Sequence, residues 1–172
     1  DAPYQTYYSI SGQSLTGFSG PAATTTVPSN GFSYDGNYYA YLSYNEIRIY
    51  SVSGTTFNQI YEELPVGGGL NLGNGGGIAW SPVENTLCVT HGGSTVSTLY
   101  SVNDSTVTKL DPLPWSGVVY TGRDSSFSAT GNYLARPTEG GSYQVFKKTS
   151  TGFTKIPDPE FQTNDVSSAQ FN

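Results

Sequence analysis

Gly31-Phe-Ser-Tyr-Asp-Gly-Asn-Tyr-Tyr-Ala40, Ala79-Trp-Ser-Pro-Val-Glu-Asn-Thr-Leu-Cys88 and Ser126-Phe-Ser-Ala-Thr-Gly-Asn-Tyr-Leu-Ala135 share one pattern. Each is an aromatic residue and Ser, a short turn ending in Asn, then a brief apolar run. That order spells strand, tight turn, strand. The anchors Phe32, Trp80 and Phe127 stand 48 and 47 residues apart, and Phe171 follows after 44 more. A second motif recurs in phase with the first. Ile47-Arg-Ile-Tyr-Ser-Val52 leads to Phe57-Asn-Gln-Ile60, Thr98-Leu-Tyr-Ser-Val102 to Val107-Thr-Lys-Leu110, and Tyr143-Gln-Val-Phe-Lys-Lys148 to Phe153-Thr-Lys-Ile156. Gln5-Thr-Tyr-Tyr-Ser-Ile10 to Leu15-Thr-Gly-Phe18 is its earliest copy. Tyr8, Tyr50, Tyr100 and Phe146 are therefore equivalent, and so are Leu15, Phe57, Val107 and Phe153.

Each period of about 45 residues holds four short strands, A to D, with no competing helical periodicity. The expected fold is all-β, a β-propeller of four-stranded blades. A β-sandwich would explain the strand density but not two motifs in phase. The boundaries fall at 1–23 (a C–D half blade), 24–65, 66–113 and 114–160 (blades), and 161–172, the start of another. This succession lacks one B strand. It leads us to expect a portion of a longer chain rather than a subunit that closes a ring with further copies.

The wording resembles the WD-like propeller repeats of phage and bacterial proteins, F-S-P-D-G-x-Y-L-A-V followed by I-x-I-Y and F-x-K-L. The Trp-Asp dipeptide and Gly-His pair of the eukaryotic family are absent. The resemblance implies the propeller and, more loosely, a surface or virion protein.

Composition narrows the chemistry. The chain has 172 residues, of which 14% are aromatic and 12% charged, with a net charge of −6. Such aromatic content belongs to a folded chain. Seven Lys and Arg make neither a nucleic-acid footprint nor an anionic-membrane anchor, and no apolar run approaches a membrane span. A single Cys and a single His give no disulfide framework and no His-cluster metal site. No cofactor is expected.

Propeller geometry places the A–B and C–D turns at one end of the blades and the D–A and B–C connections at the other. The turns draw on Asp, Asn and Gly for geometry. The long D–A loops are the expected binding elements: Ser19–Asn30, Leu64–Gly77, Asp111–Asp124 and Ile156–Val166. Trp115 and Tyr120 offer aromatic platforms for a sugar ring or an apolar patch, and Arg123 and Asp124 offer directional polar contacts. Tyr44 and His91 fall at B–C connections on the same end. These six are the ligand-binding candidates. His91 has no Ser-His-Asp spacing around it. Cys88, equivalent to Ala40 and Ala135, is expected to be small, buried and inert. The Gly-rich Val66–Gly77 stretch has neither the Lys nor the helix of a phosphate loop and reads as a close-packed or flexible connection. Glu62 and Glu63 read as a surface loop, and Asn103-Asp-Ser105 is a sequon in an exposed turn.

Together these features lead to the expectation of a non-catalytic interaction module of an extracellular or virion surface protein, contacting protein or glycan through the D–A loops. The alternative is a secreted glycan-cleaving propeller enzyme whose site lies partly outside these residues.

Overall fold

The computed structural model describes residues 7–21, 29–43, 46–64, 76–90, 97–110, 125–137 and 143–157. Within them are fourteen strands: β1 (Tyr7–Ser11), β2 (Ser14–Phe18), β3 (Ser29–Phe32), β4 (Tyr38–Leu42), β5 (Ile47–Ser53), β6 (Thr56–Glu63), β7 (Gly77–Trp80), β8 (Thr86–Thr90), β9 (Ser97–Asn103), β10 (Thr106–Lys109), β11 (Ser126–Phe127), β12 (Tyr133–Pro137), β13 (Tyr143–Thr149) and β14 (Gly152–Lys155). There is no helix among the described residues. β3 to β6, β7 to β10 and β11 to β14 each form a four-stranded antiparallel sheet in chain order, and β1–β2 is a separate hairpin. The architecture is all-β, as expected, and its sheets are consistent with propeller-like blades. The described sheets form an open row rather than a closed ring.

The repeated residues recur because each makes the same bonds. In the three A–B turns the backbone N–H of Ser33, Ser81 and Ser128 donates to the carbonyls of Tyr38, Thr86 and Tyr133 at 2.8–2.9 Å. The Ser33 and Ser128 hydroxyls also accept the amides of Tyr38 and Tyr133. The Asn carbonyls at 37, 85 and 132 accept the amides of Val52, Val102 and Lys148 at 2.7–2.9 Å. Each turn is thereby tied to the third strand of its own sheet, which accounts for the two motifs running in phase. The C–D hairpins keep one register as well: Ile10, Val52, Val102 and Lys148 stand opposite Leu15, Phe57, Val107 and Phe153.

Alternation along the strands gives each sheet two opposed faces, and among the described residues the first and second four-stranded sheets each pack between two neighbours. Tyr39 and Tyr41 point one way, packing with Tyr50, Phe57 and the hairpin's Tyr7 and Phe18. Tyr38, Ala40 and Leu42 point the other way, joining Ile47 and Ile49 against Leu87, Val89, Tyr100 and Val102 of the second sheet. Cys88 and Leu99 meet Phe127, Leu134, Phe146 and Phe153 of the third. The A strands adjoin directly: Ile78 N donates to Ser29 Oγ at 3.1 Å and Trp80 Nε1 to the Gly31 carbonyl at 3.1 Å.

The turn end is also cross-linked. Asp35 Oδ1 accepts from Ser33 Oγ and the Asn37 amide, and Oδ2 from Asn37 Nδ2 and, across to the second sheet, Asn85 Nδ2 at 3.1 Å. Glu84 and Lys148 form an ion pair between the second and third sheets. Gly131 has φ +69°, and a Cβ there would meet Val83 Cγ2 at 2.5 Å, so that turn packs on the second sheet only as glycine.

Burial opposes the Asp35 charge, but the hydrogen bonds from Ser33, Asn37 and Asn85 outweigh it and hold the carboxyl at about 2. A carboxyl lowered on folding adds stability above its unfolded value, and that contribution is lost as pH falls through the folded value. The urea midpoint of the native protein is therefore expected to fall between about pH 4 and pH 2 more steeply than that of Asp35→Asn. Parallel profiles for the two proteins would mean that the network stabilises nothing.

Candidate functional site

The end of the sheets opposite those turns carries the D–A and B–C connections. Tyr44 lies in the β4–β5 connection, His91 in β8–β9, and Trp115, Tyr120, Arg123 and Asp124 in β10–β11. All six lie outside the described residues, as does most of the Gly-rich stretch. What the structure describes is the frame from which those segments leave.

In the first sheet the frame is ionic. Ser43 N donates to the Glu46 carbonyl at 2.9 Å, closing the β4–β5 turn. Glu46 is buried; its Oε1 accepts the Tyr41 hydroxyl at 3.0 Å and its Oε2 meets Arg48 at 2.8 Å. Arg48 bridges onward to Glu62 at 2.9 Å, with its guanidinium 6.0 Å from the centre of the Tyr41 ring. Burial pushes the Tyr41 hydroxyl well above its ordinary value, and neighbouring Tyr50 and Glu46 add to this. Burial alone would lower the Arg48 pKa, but Tyr50, Tyr41 and Glu46 raise it. Arg48 stays cationic and fixed.

Tyr41 faces Arg48 across β4–β5; the same cross-strand position holds Val89 and Thr98 in the second sheet and Arg136 and Gln144 in the third. Arg136 is completely buried. Burial lowers its pKa to about 10, with Cys88 acting in the opposite direction. The Cys88 thiol is pushed up to about 12 by burial, against a hydrogen bond with Ser125 and the charge of Arg136. A thiol so protonated is no nucleophile at neutral pH, in keeping with the expected inert Cys88.

The second sheet holds its exit by close packing. Thr90 Oγ1 accepts from Gly77 N at 2.8 Å and donates to the Gly77 carbonyl at 3.0 Å. A Cβ on Gly76 would lie 2.2 Å from the Thr90 carbonyl oxygen. The close-packed reading of the Gly-rich stretch thus holds at its last two glycines.

Two polar groups escaped the sequence reading. Glu46 was passed over because its importance depends on the Tyr41–Arg48 register; the available signal was an acidic residue two positions before Arg48 in a charge-poor chain. Glu62 and Glu63 are corrected outright: both lie in β6 rather than in a surface loop, Glu62 opposite Arg48 and Glu63 at the strand's end; Glu63 is the second missed group. Its carboxylate accepts from Tyr61 and Tyr100 hydroxyls at 2.7 Å and from Lys109 Nζ at 2.8 Å. Burial opposes its charge, yet these donors leave its pKa lowered.

No protein-family model matches the sequence, and no curated protein matches it. The fold is similar to a candidate 6-phosphogluconolactonase from Bacteroides fragilis, with TM-score 0.71 and 16% identity over 94% of this chain and 49% of that one. A candidate 6-phosphogluconolactonase from Bacteroides uniformis gives 0.66 and 17% over 87% and 46%. A protein from Lactobacillus plantarum gives 0.71 and 15% over 95% and 50%. The chain thus spans about half the length of these structures. At such identities the likeness concerns the fold. It corrects the expectation of a non-catalytic phage or bacterial surface module, because the same fold is found in proteins named for an enzyme activity.

Proposed function

We propose that the chain is part of a propeller hydrolase that opens a sugar-derived lactone at the end bearing the D–A and B–C connections. The observation that carries this reading is the fold likeness, over 94% of the chain, to a candidate 6-phosphogluconolactonase. The chemistry available at that end supports it. Water adds to the lactone acyl carbon, the ring C–O bond breaks, and a carboxylate, a hydroxyl and a proton result. Such a reaction needs a proton acceptor, a hold on the sugar and, for a phosphorylated substrate, a cation. His91 is suited to the first, Trp115 and Tyr120 to stacking on the ring, and Arg123 to a fork of hydrogen bonds with phosphate. Tyr44 and Asp124 supply contacts to ring hydroxyls. The Glu46–Arg48 pair and the buried Arg136 serve as fixed supports for these loops rather than as reacting groups.

The test uses the full-length polypeptide and aldonolactones with and without a terminal phosphate, following proton release at constant pH. The expected result is ring opening faster than the spontaneous rate, with kcat reduced about 100-fold by His91→Ala. Arg123→Ala is expected to raise KM for the phosphorylated lactone alone. Proton release at the spontaneous rate with both substrates would overturn the reading.

A further inference from the structure

The three four-stranded sheets use one set of positions to rest on the sheet before them. Tyr50, Val52 and Phe57 lie against the hairpin, Tyr100, Val102 and Val107 against the first sheet, and Phe146 and Phe153 against the second. Lys148, which takes the place of Val52 in the third sheet, also reaches back to Glu84 of the second. In the hairpin these positions are Tyr8, Ile10 and Leu15, and they are 57%, 76% and 66% exposed. The opposite face is engaged at its Tyr7–Phe18 end, with Tyr7 buried against Tyr39 and Phe57, and its exposed remainder is polar: Ser9, Ser11, Ser14 and Thr16.

Among the described residues no further strand lies along the outer edge of the hairpin. β5, β9 and β13 are each paired on both sides, whereas among the described residues β1 pairs only with β2. A free strand edge in a soluble protein is normally guarded by charge, proline or a bulge. Residues 7–18 contain no charged side chain and no proline, and their pairing with one another is regular throughout. An apolar face and an unguarded edge on one hairpin describe a seat.

We propose that this seat is occupied by a further blade of the same four-stranded kind, contributed by additional sequence of the same polypeptide. A strand of that segment extends β1 along its free edge, and an adjoining sheet covers Tyr8, Ile10 and Leu15. The occupant is assigned to the same polypeptide because similar single-chain structures hold about twice the length of this chain. This inference does not depend on the lactonase reading.

The test places a reporter thiol on the seat of the full-length polypeptide, as Ile10→Cys and separately as Leu15→Cys. Cys88, the one thiol of these 172 residues, is buried and serves as the internal reference, with any cysteine of the additional sequence replaced by serine. Maleimide labelling of either new thiol is expected to be slowed about 100-fold or more relative to the urea-unfolded chain, since reaction would require local opening. That protection should be unchanged on dilution. Labelling within about threefold of the unfolded rate, with Cys88 still protected, would show an open face and overturn the proposal. Protection lost on dilution would place a second copy on the seat, and would overturn it too. If one variant fails to fold, as judged by Cys88 reacting freely, the other decides.

Discussion

Glu63→Ala is expected to destabilise the protein by about 3 kcal/mol, a large effect for a residue at the edge of a sheet. The carboxylate gathers two phenolic donors and one ammonium from two sheets. Tyr100 is completely buried, so truncating Glu63 takes the charged acceptor away from a buried hydroxyl. An unsatisfied buried donor costs about 1–3 kcal/mol, and one bonded to a charged group lies at the upper end. Lys109 is half-exposed and adds little, because exposed ion pairs are screened by solvent. Glu63→Gln keeps an acceptor and should lose about half as much. Urea unfolding with an unchanged m-value is the measurement. Pairing Glu63→Ala with Tyr100→Phe should then recover about 1–2 kcal/mol of coupling, since the buried Tyr100 hydroxyl that loses its acceptor is removed along with it. A loss below about 1 kcal/mol in the single variant would mean that the cluster is incidental to stability.

Tyr39→Ala should cost about 4 kcal/mol, in the range of large aromatic truncations in a core. Tyr39 is almost fully buried and central to the aromatic group joining the hairpin to the first sheet. Its ring lies 4.9 Å from Phe32, 5.5 Å from Tyr7 and 5.5 Å from Phe57, the last two edge-on, an arrangement that adds to simple area burial. Its hydroxyl accepts from Tyr7 at 3.0 Å. The loss should be local as well as global: amide exchange in β1 and β2 should accelerate more than in β8 or β12, because the hairpin meets the rest of the described structure through this group. Tyr39→Phe, which removes only the hydroxyl, should cost about 1 kcal/mol. Equal acceleration in all sheets would contradict a hairpin held chiefly by this contact.

The repeat was legible because its conserved spacing reflects bonds within a single sheet. Ser33, Ser81 and Ser128 close the same turn, and Asn37, Asn85 and Asn132 tie it to the same strand. Equivalent bonding leaves equivalent residues in the sequence. The burial of Cys88 followed from its alignment with two alanines. Interactions between sheets left no such trace. Glu63 and Tyr100 are 37 residues apart, and nothing local distinguishes Glu63 from a solvated acid beside Glu62. Arg136 aligns with Tyr41 and Val89, and its burial follows from that place in the repeat rather than from its residue type. The function was misjudged for a different reason. The resemblance was to repeats that specify a scaffold, and a scaffold does not select between binding and catalysis. The candidate residues stand in connections whose lengths differ from blade to blade, where repetition gives no help.

The most direct test of where the chemistry resides is hydrogen exchange of the full-length polypeptide with and without a non-hydrolysable aldonolactam. Slowed exchange in residues 91–96 and 111–124, with residues 33–37 and 81–85 unchanged, is the expected result. Protection confined to the Asp35 and Asn85 turns would put the ligand on the opposite end of the sheets and contradict the assignment of His91, Trp115, Tyr120 and Arg123.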